Sequence, residues 1–126
     1  MPLEQSDPLS NQAIGLAIKV HKILGPGLLE SAYEECLAYE FTKNGLPFGR
    51  QVHLPIVYDN VQLDCSYRVD FIVDGQLLIE LKSVEKLLPI HDAQILTYLR
   101  LSGCRVGLLM NFNQVALKAG LKRFVL

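Results

Sequence analysis

The chain has 126 residues, half of them hydrophobic, with 12 Lys plus Arg against 13 Asp plus Glu and a formal net charge of -1. That length supplies one core, burying roughly two-thirds of the surface its unfolded form exposes, and the apolar fraction with near-neutral charge excludes intrinsic disorder. No apolar run approaches the roughly 20 residues of a membrane span, the longest being strand-sized around Val106 to Met110, and the charge balance removes the generic argument for nucleic-acid binding.

The start, Met1 to Ser10, has Glu4 and Asp7 but neither a basic beginning nor an apolar segment, which predicts no secretion signal. Cys36, Cys65 and Cys104 are odd in number, widely spaced and set among apolar neighbours. That pattern suits reduced core thiols of a cytoplasmic protein rather than a disulfide framework or a zinc site. The expectation is a single domain over residues 1–126, with residues 1–9 an irregular lead-in.

From Ser10, spacing of three and four at Ile14, Ala17, Ile18, His21 and Leu24 predicts an amphipathic helix capped by Ser10 or Asn11 and stopped by Gly25-Pro26-Gly27. A second helix is predicted from about Leu28 to Asn44, burying Leu29, Tyr33, Cys36, Leu37 and Phe41. After Pro47 the period falls to two. Val52, Leu54 and Ile56 form one strand, Tyr58-Asp59-Asn60 turns the chain, and a strand from about Leu63 to Val73 sets Cys65, Tyr67, Val69, Phe71 and Val73 on one side. Asp74-Gly75 closes a hairpin onto Leu77 to Ser83. Helical spacing returns from about Pro89 to Ser102, with Ala93 or Asp92, Ile95, Leu96 and Leu99 facing the core and Gly103 ending the helix. Arg105 to Phe112 reads as a buried strand and Lys122 to Leu126 as a short terminal one.

The hairpin register decides the chemistry. A two-residue loop would pair Val73 with Gln76 and set Asp70 opposite Ile79, forcing a carboxylate onto the apolar face. A three-residue loop of Val73-Asp74-Gly75 pairs Ile72 with Gln76 and Asp70 with Leu78, and keeps Tyr67, Val69 and Phe71 beside Leu77, Ile79 and Leu81. Asp70 then shares a face with Glu80 and Lys82, Glu80 lying diagonally next to it. Two carboxylates and a lysine at a common point suit metal-assisted phosphodiester cleavage, because magnesium or manganese takes oxygen ligands and needs few from the protein. A solvated sheet face with cross-strand ion pairs uses the same residue types. Gln94 and Tyr98 lie four apart on one side of the following helix, with His91 one turn earlier, while Glu30 falls in the first turn of the second helix, where an acid also complements the helix dipole. His21, His53 and His91 are too dispersed for a zinc site.

Asp70, Glu80-Leu81-Lys82 and Gln94-Ile95-Leu96-Thr97-Tyr98 together resemble the PD-(D/E)XK nuclease superfamily, in particular its RecB-like branch. Gly27-Leu28-Leu29-Glu30-Ser31-Ala32-Tyr33 is similar to the motif that names the GxxExxY family within it, and the resemblance runs from about His21 to Phe124. It implies an α/β, restriction-endonuclease-like core, with a central mixed sheet of about four or five strands flanked by helices. It implies Glu30, Asp70 and Glu80 as metal ligands assisted by the Leu81 carbonyl, Lys82 as catalytic, and Gln94 and Tyr98 supporting the site or substrate. Val69 stands where the superfamily name has proline. The expected cofactor is Mg2+ or Mn2+ and the expected substrate DNA or RNA, with no membrane partner; a homodimer, common in that superfamily, would lengthen the cleft. A catalytically idle nuclease-like scaffold that binds nucleic acid or assembles proteins is the competing reading.

Overall fold

The computed structural model describes residues 7–126; residues 1–6, most of the expected lead-in, lie outside it. Helix α1 spans Pro8–Leu24 and begins ahead of the expected cap because Asp7 takes that role. The Asp7 carboxylate accepts the Ser10 amide at 3.2 Å, and Pro8 fills the first turn, where a missing N–H costs nothing. Ala13, Ala17 and Val20 form its buried line, while Ile14 and Ile18 are only partly covered. Helix α2 spans Glu30–Lys43 and buries Tyr33, Leu37, Ala38 and Phe41. Leu29, expected in the core, is 78% exposed, because it stands just outside the helix as its N-cap residue.

Strands β1 (Phe48–Tyr58), β2 (Val61–Val73) and β3 (Leu77–Lys82) follow, then α3 (Pro89–Ser102), β4 (Val106–Asn111) and β5 (Leu121–Val125). A 3-10 turn at Leu117–Gly120, for which the sequence offers no periodic signal, leads into β5. The five strands lie in chain order, antiparallel except for the parallel pair β3 and β4 that α3 connects. The fold is therefore the expected α/β mixed sheet flanked by helices. Helices α1 and α2 cover one face over Phe71, Ile79, Leu81, Leu108 and Met110, and α3 covers the other over Val69, Leu78 and Leu109. A glycine sets how closely α3 lies: a Cβ at Gly107 would stand 3.2 Å from both Ile95 and Leu99 side chains.

The hairpin loop has the expected three residues but a different position. Val73 pairs with Leu77 and Ile72 with Leu78, so the loop is Asp74-Gly75-Gln76 and not Val73-Asp74-Gly75. Asp74 (φ 53) and Gly75 (φ 65) both adopt left-handed backbone, closed by the Gln76 amide on the Val73 carbonyl at 3.0 Å, and Gln76 is then the extra residue. Relative to the expected pairing the strands move by two residues. An even shift preserves which side each residue faces, so Phe71 and Ile79 still share a face, and the rung beyond them brings Asp70 opposite Glu80.

One further departure concerns the sides of β2. Phe71 and Val73 belong to the layer under α1 and α2, but Val69 belongs to the layer under α3. The alternation is broken between them, and β1 breaks on the same rung: Phe48 packs with the first layer, Val52 and Leu54 with the second. Register is kept across this stretch, Arg50 opposite Phe71 and Val52 opposite Val69, and shifts only further along, between Pro55 and Val57, so the break falls at Gln51 and Asp70, where Gln51 takes φ 52. Beyond this rung the two strands continue as a ribbon to an Asp59-Asn60 tip, both residues with positive φ as a tight hairpin turn requires.

Cys36 is half-buried and Cys104 buried, both as free thiols; the side chain of Cys65 is outside the described part. Among the described residues no helix is long and apolar enough to cross a membrane.

Candidate active site

The ladder between β2 and β3 stops at Phe71 and Ile79. On the next rung two carboxylates take the place of backbone partners. The Asp70 amide donates to Glu80 Oε1 at 2.8 Å, and the Leu81 amide donates to Asp70 Oδ2 at 2.8 Å. Asp70 and Glu80 are thus directly opposite rather than diagonal as expected. In an antiparallel rung the N–H and C=O of one residue leave the strand on the same side, so the Leu81 carbonyl faces the edge where its amide meets Asp70.

Both acids are held where ionisation is unfavourable. Burial raises the Asp70 pKa, and the charges of Glu34 and Glu30 add to it, against the hydrogen bonds from Leu81 and Gln51. Glu80 is 8% exposed, and burial followed by repulsion from Asp70 pushes it up to about 8, with Lys82 and the Asp70 amide opposing. Lys82 ends β3 half-buried and forms no ion pair among the described residues, yet its ammonium acts on Glu80. The strand exit behind it is fixed by buried Asn111, whose amide donates to the Val84 carbonyl at 2.9 Å and whose oxygen accepts the Val84 amide at 3.1 Å.

Glu30 is placed by the glycine-proline loop. Tyr33 folds back so that its hydroxyl donates to the Gly25 carbonyl at 2.6 Å and accepts the Leu28 amide at 3.1 Å, while its ring stacks on Phe112 at 4.5 Å. Ser83 closes the other side, its hydroxyl donating to the Leu28 carbonyl at 2.6 Å and its amide pointing at Glu30 Oε2 from 3.4 Å. In the Gly27-to-Tyr33 motif the tyrosine is therefore a brace, and the glutamate is what it presents toward the end of β3. Glu30 lies near enough for its charge to act on Asp70 and Glu80. Among the described residues, however, no three Asp, Glu, His or Cys side chains converge closely enough to form a ready metal-holding group.

From α3, Tyr98 reaches the same region: burial, then the charge of Glu80, raises its hydroxyl pKa, with Tyr67 and Asp70 contributing. Its ring lies 5.9 Å from that of Tyr67, which is exposed on the β1–β2 ribbon. Gln94 is half-buried one turn earlier, and no hydrogen bond joins it to the carboxylates among the described residues. His91 serves the helix start, its Nδ1 accepting the Leu88 amide at 2.9 Å. His21 is buried against the Phe112 and Gln114 carbonyls at 3.1 and 2.8 Å, as a structural histidine would be. The C-terminal basic residues include Lys122, paired with Asp92, and Arg123, paired with Asp7.

Two residues at the site escape the sequence reading. Gln51 donates to Asp70 Oδ1 at 3.0 Å and to Glu34 Oε1 at 2.6 Å. Glu34 follows Glu30 by four and so shares its side of α2, a spacing legible in the sequence; nothing in the period-two pattern singles out Gln51.

Two close carboxylates, Glu80 buried and Asp70 half-buried, beside a carbonyl and with oxygen lone pairs to spare, are a donor set that suits a hard divalent cation. A family model described as the PD-(D/E)XK nuclease superfamily matches residues 7–124. No curated protein and no solved structure matches.

Proposed function

Because the chain belongs to the PD-(D/E)XK nuclease superfamily, whose members are generally divalent-metal dependent, we propose that it hydrolyses nucleic-acid phosphodiester bonds with Mg2+ or Mn2+. The observation that carries this reading is the replacement of ladder hydrogen bonds by the Asp70 and Glu80 carboxylates with Lys82 two residues further along β3. A strand pair gives up backbone pairing there to set two acids together in a half-dry place, at a cost that simple folding does not explain.

Asp70, Glu80 and the Leu81 carbonyl would hold the cation, with Glu30 reaching it from α2. The cation supplies Lewis-acid polarisation of the phosphoryl group and a more acidic water. Lys82 Nζ orients the attacking water and offsets charge that develops on the phosphate. Tyr98 and Gln94 line the same side from α3, the tyrosine offering a hydroxyl whose pKa burial, and then the charge of Glu80, raises. The finer placement in the GxxExxY family and the RecB-like branch rests on the Gly27-to-Tyr33 and Gln94-to-Tyr98 motifs.

Incubation of the purified protein with single-stranded DNA, duplex DNA and RNA in Mg2+ or Mn2+ tests the reading. Cleavage is expected, with loss in EDTA and in both Asp70→Asn and Lys82→Ala. Equal cleavage by the variants would assign it to a contaminant. Calorimetric titration separates the idle scaffold: heat with neither ion would favour that alternative.

A further inference from the structure

Consecutive side chains of an extended strand leave on opposite sides, yet Arg50 and Gln51 grip the same carboxylate. Arg50 Nε donates to Glu34 Oε2 at 2.6 Å and Gln51 Nε2 donates to Glu34 Oε1 at 2.6 Å. The left-handed backbone at Gln51, φ 52, accompanies this arrangement, a conformation that residues with a Cβ rarely adopt. It occurs inside a strand whose flanking rungs, Arg50 with Phe71 and Val52 with Val69, pair in constant register. No insertion forces it. The same Nε2 carries a second hydrogen and gives it to Asp70 Oδ1 at 3.0 Å. A tether therefore runs from α2 through Glu34 and Gln51 to the carboxylate at the centre of the site. Its outer end is secured by Arg50, which also bonds Glu35.

We propose that Gln51 is a positioning residue for Asp70. With Oδ2 fixed by the Leu81 amide and Oδ1 by Gln51, the plane of the Asp70 carboxylate is set before any ligand arrives. Glycine would relax the backbone at this position, and the presence of a long amide there indicates that its side chain is what the strained conformation serves. The proposal rests on the reading of Asp70 as a cation-holding group.

Gln51→Gly removes the amide and relaxes the backbone together, so it separates positioning from stability. The expected result is a melting temperature at or above that of the native sequence, with Mn2+ affinity by calorimetry about 10- to 100-fold weaker. The turnover rate falls while KM for an oligonucleotide is unchanged. Gln51→Asn, which tolerates the same backbone but reaches one methylene less far, loses affinity in the same direction and serves should the glycine variant fail to fold. Affinity and turnover within twofold of the native sequence in both variants would overturn the proposal. If the native protein takes no Mn2+, the nuclease reading fails separately, and a crystal structure of Gln51→Gly still decides. An Asp70 carboxylate swung off the Leu81 amide supports positioning, and an unmoved one refutes it.

Discussion

Asp70 and Glu80 are joined through the backbone of one and the side chain of the other: the Asp70 amide holds Glu80 Oε1 at 2.8 Å, while the Asp70 carboxylate caps the Leu81 amide next door. Each acid thus fixes the other's rung, and neither can be moved alone. Burial raises both pKa values, and the nearby Asp70 charge raises that of Glu80 further.

The first expectation concerns pH. The Glu80 carboxyl sits at about 8 in the fold against an ordinary value of 4.5. Below about 4.5 both folded and unfolded chains carry the proton, so the group is neutral to stability. Between 4.5 and 8 the unfolded chain has released it and the folded chain has not, so stability falls as pH rises across that window, by up to several kcal/mol. Thermal denaturation in EDTA should give a lower melting temperature at pH 8 than at pH 5.5, and Glu80→Gln should flatten that slope. An equal slope in the variant would place its cause elsewhere.

Divalent cations should reverse the penalty. A ligand that binds only the folded chain adds about 2.7 kcal/mol when present at 100 times its Kd. Mn2+ or Mg2+ at pH 8 is expected to raise the melting temperature of the native sequence by several degrees and to leave Asp70→Asn unmoved. Differential scanning with and without EDTA reads both.

Lys82→Met keeps the length of the side chain and removes its charge. Cleavage should fall by at least two orders of magnitude while the fold persists, because Lys82 forms no ion pair among the described residues. Since its ammonium opposes the upward shift of Glu80, the Glu80 titration followed by NMR should move higher still. A downward movement would mean that the ammonium points away from the acids.

Tyr33→Phe tests the brace behind Glu30. The ring still stacks on Phe112, but the Gly25 carbonyl and Leu28 amide lose the hydroxyl they share. The expected cost is about 1–3 kcal/mol in chemical denaturation, with faster hydrogen exchange confined to residues 25–30. Uniform exchange across the chain would show that the hydroxyl supports the whole fold rather than this loop.

Gly107→Ala would press a methyl group against Ile95 and Leu99, 3.2 Å away, and lift α3 from β4. A loss of about 1–3 kcal/mol is expected, together with reduced turnover because Tyr98 rides on the same helix. Full stability with full activity would mean that the helix adjusts without cost.

Much of the architecture is legible in the sequence because apolar spacing reports directly on which side of an element is covered. Pro89 to Ser102 is located to the residue, since proline and glycine bound it at both ends. The closeness of Asp70 and Glu80 is also recoverable, because a two-residue error in hairpin pairing still leaves Glu80 within one rung of Asp70. What alternation misreads is Val69, placed with Phe71 on one side although a break lies between them. The break falls on the rung where Gln51 takes a left-handed backbone angle, and polar side chains give no hydrophobic trace of such an angle. The exposure of Leu29 was hidden for a related reason: a leucine before a helix looks like one inside it until the first helical residue is known.

The shared switch of sides at Gln51 and Asp70 also governs how this protein can change length over time. Because both strands invert on one rung, a single insertion below it would turn the site acids toward the wrong layer, whereas the Asp59-Asn60 tip lies beyond the inversion and can lengthen or shorten freely. Diversification is thereby channelled to the far end of the ribbon, where a new loop can form while Asp70 and Glu80 at its root stay in place.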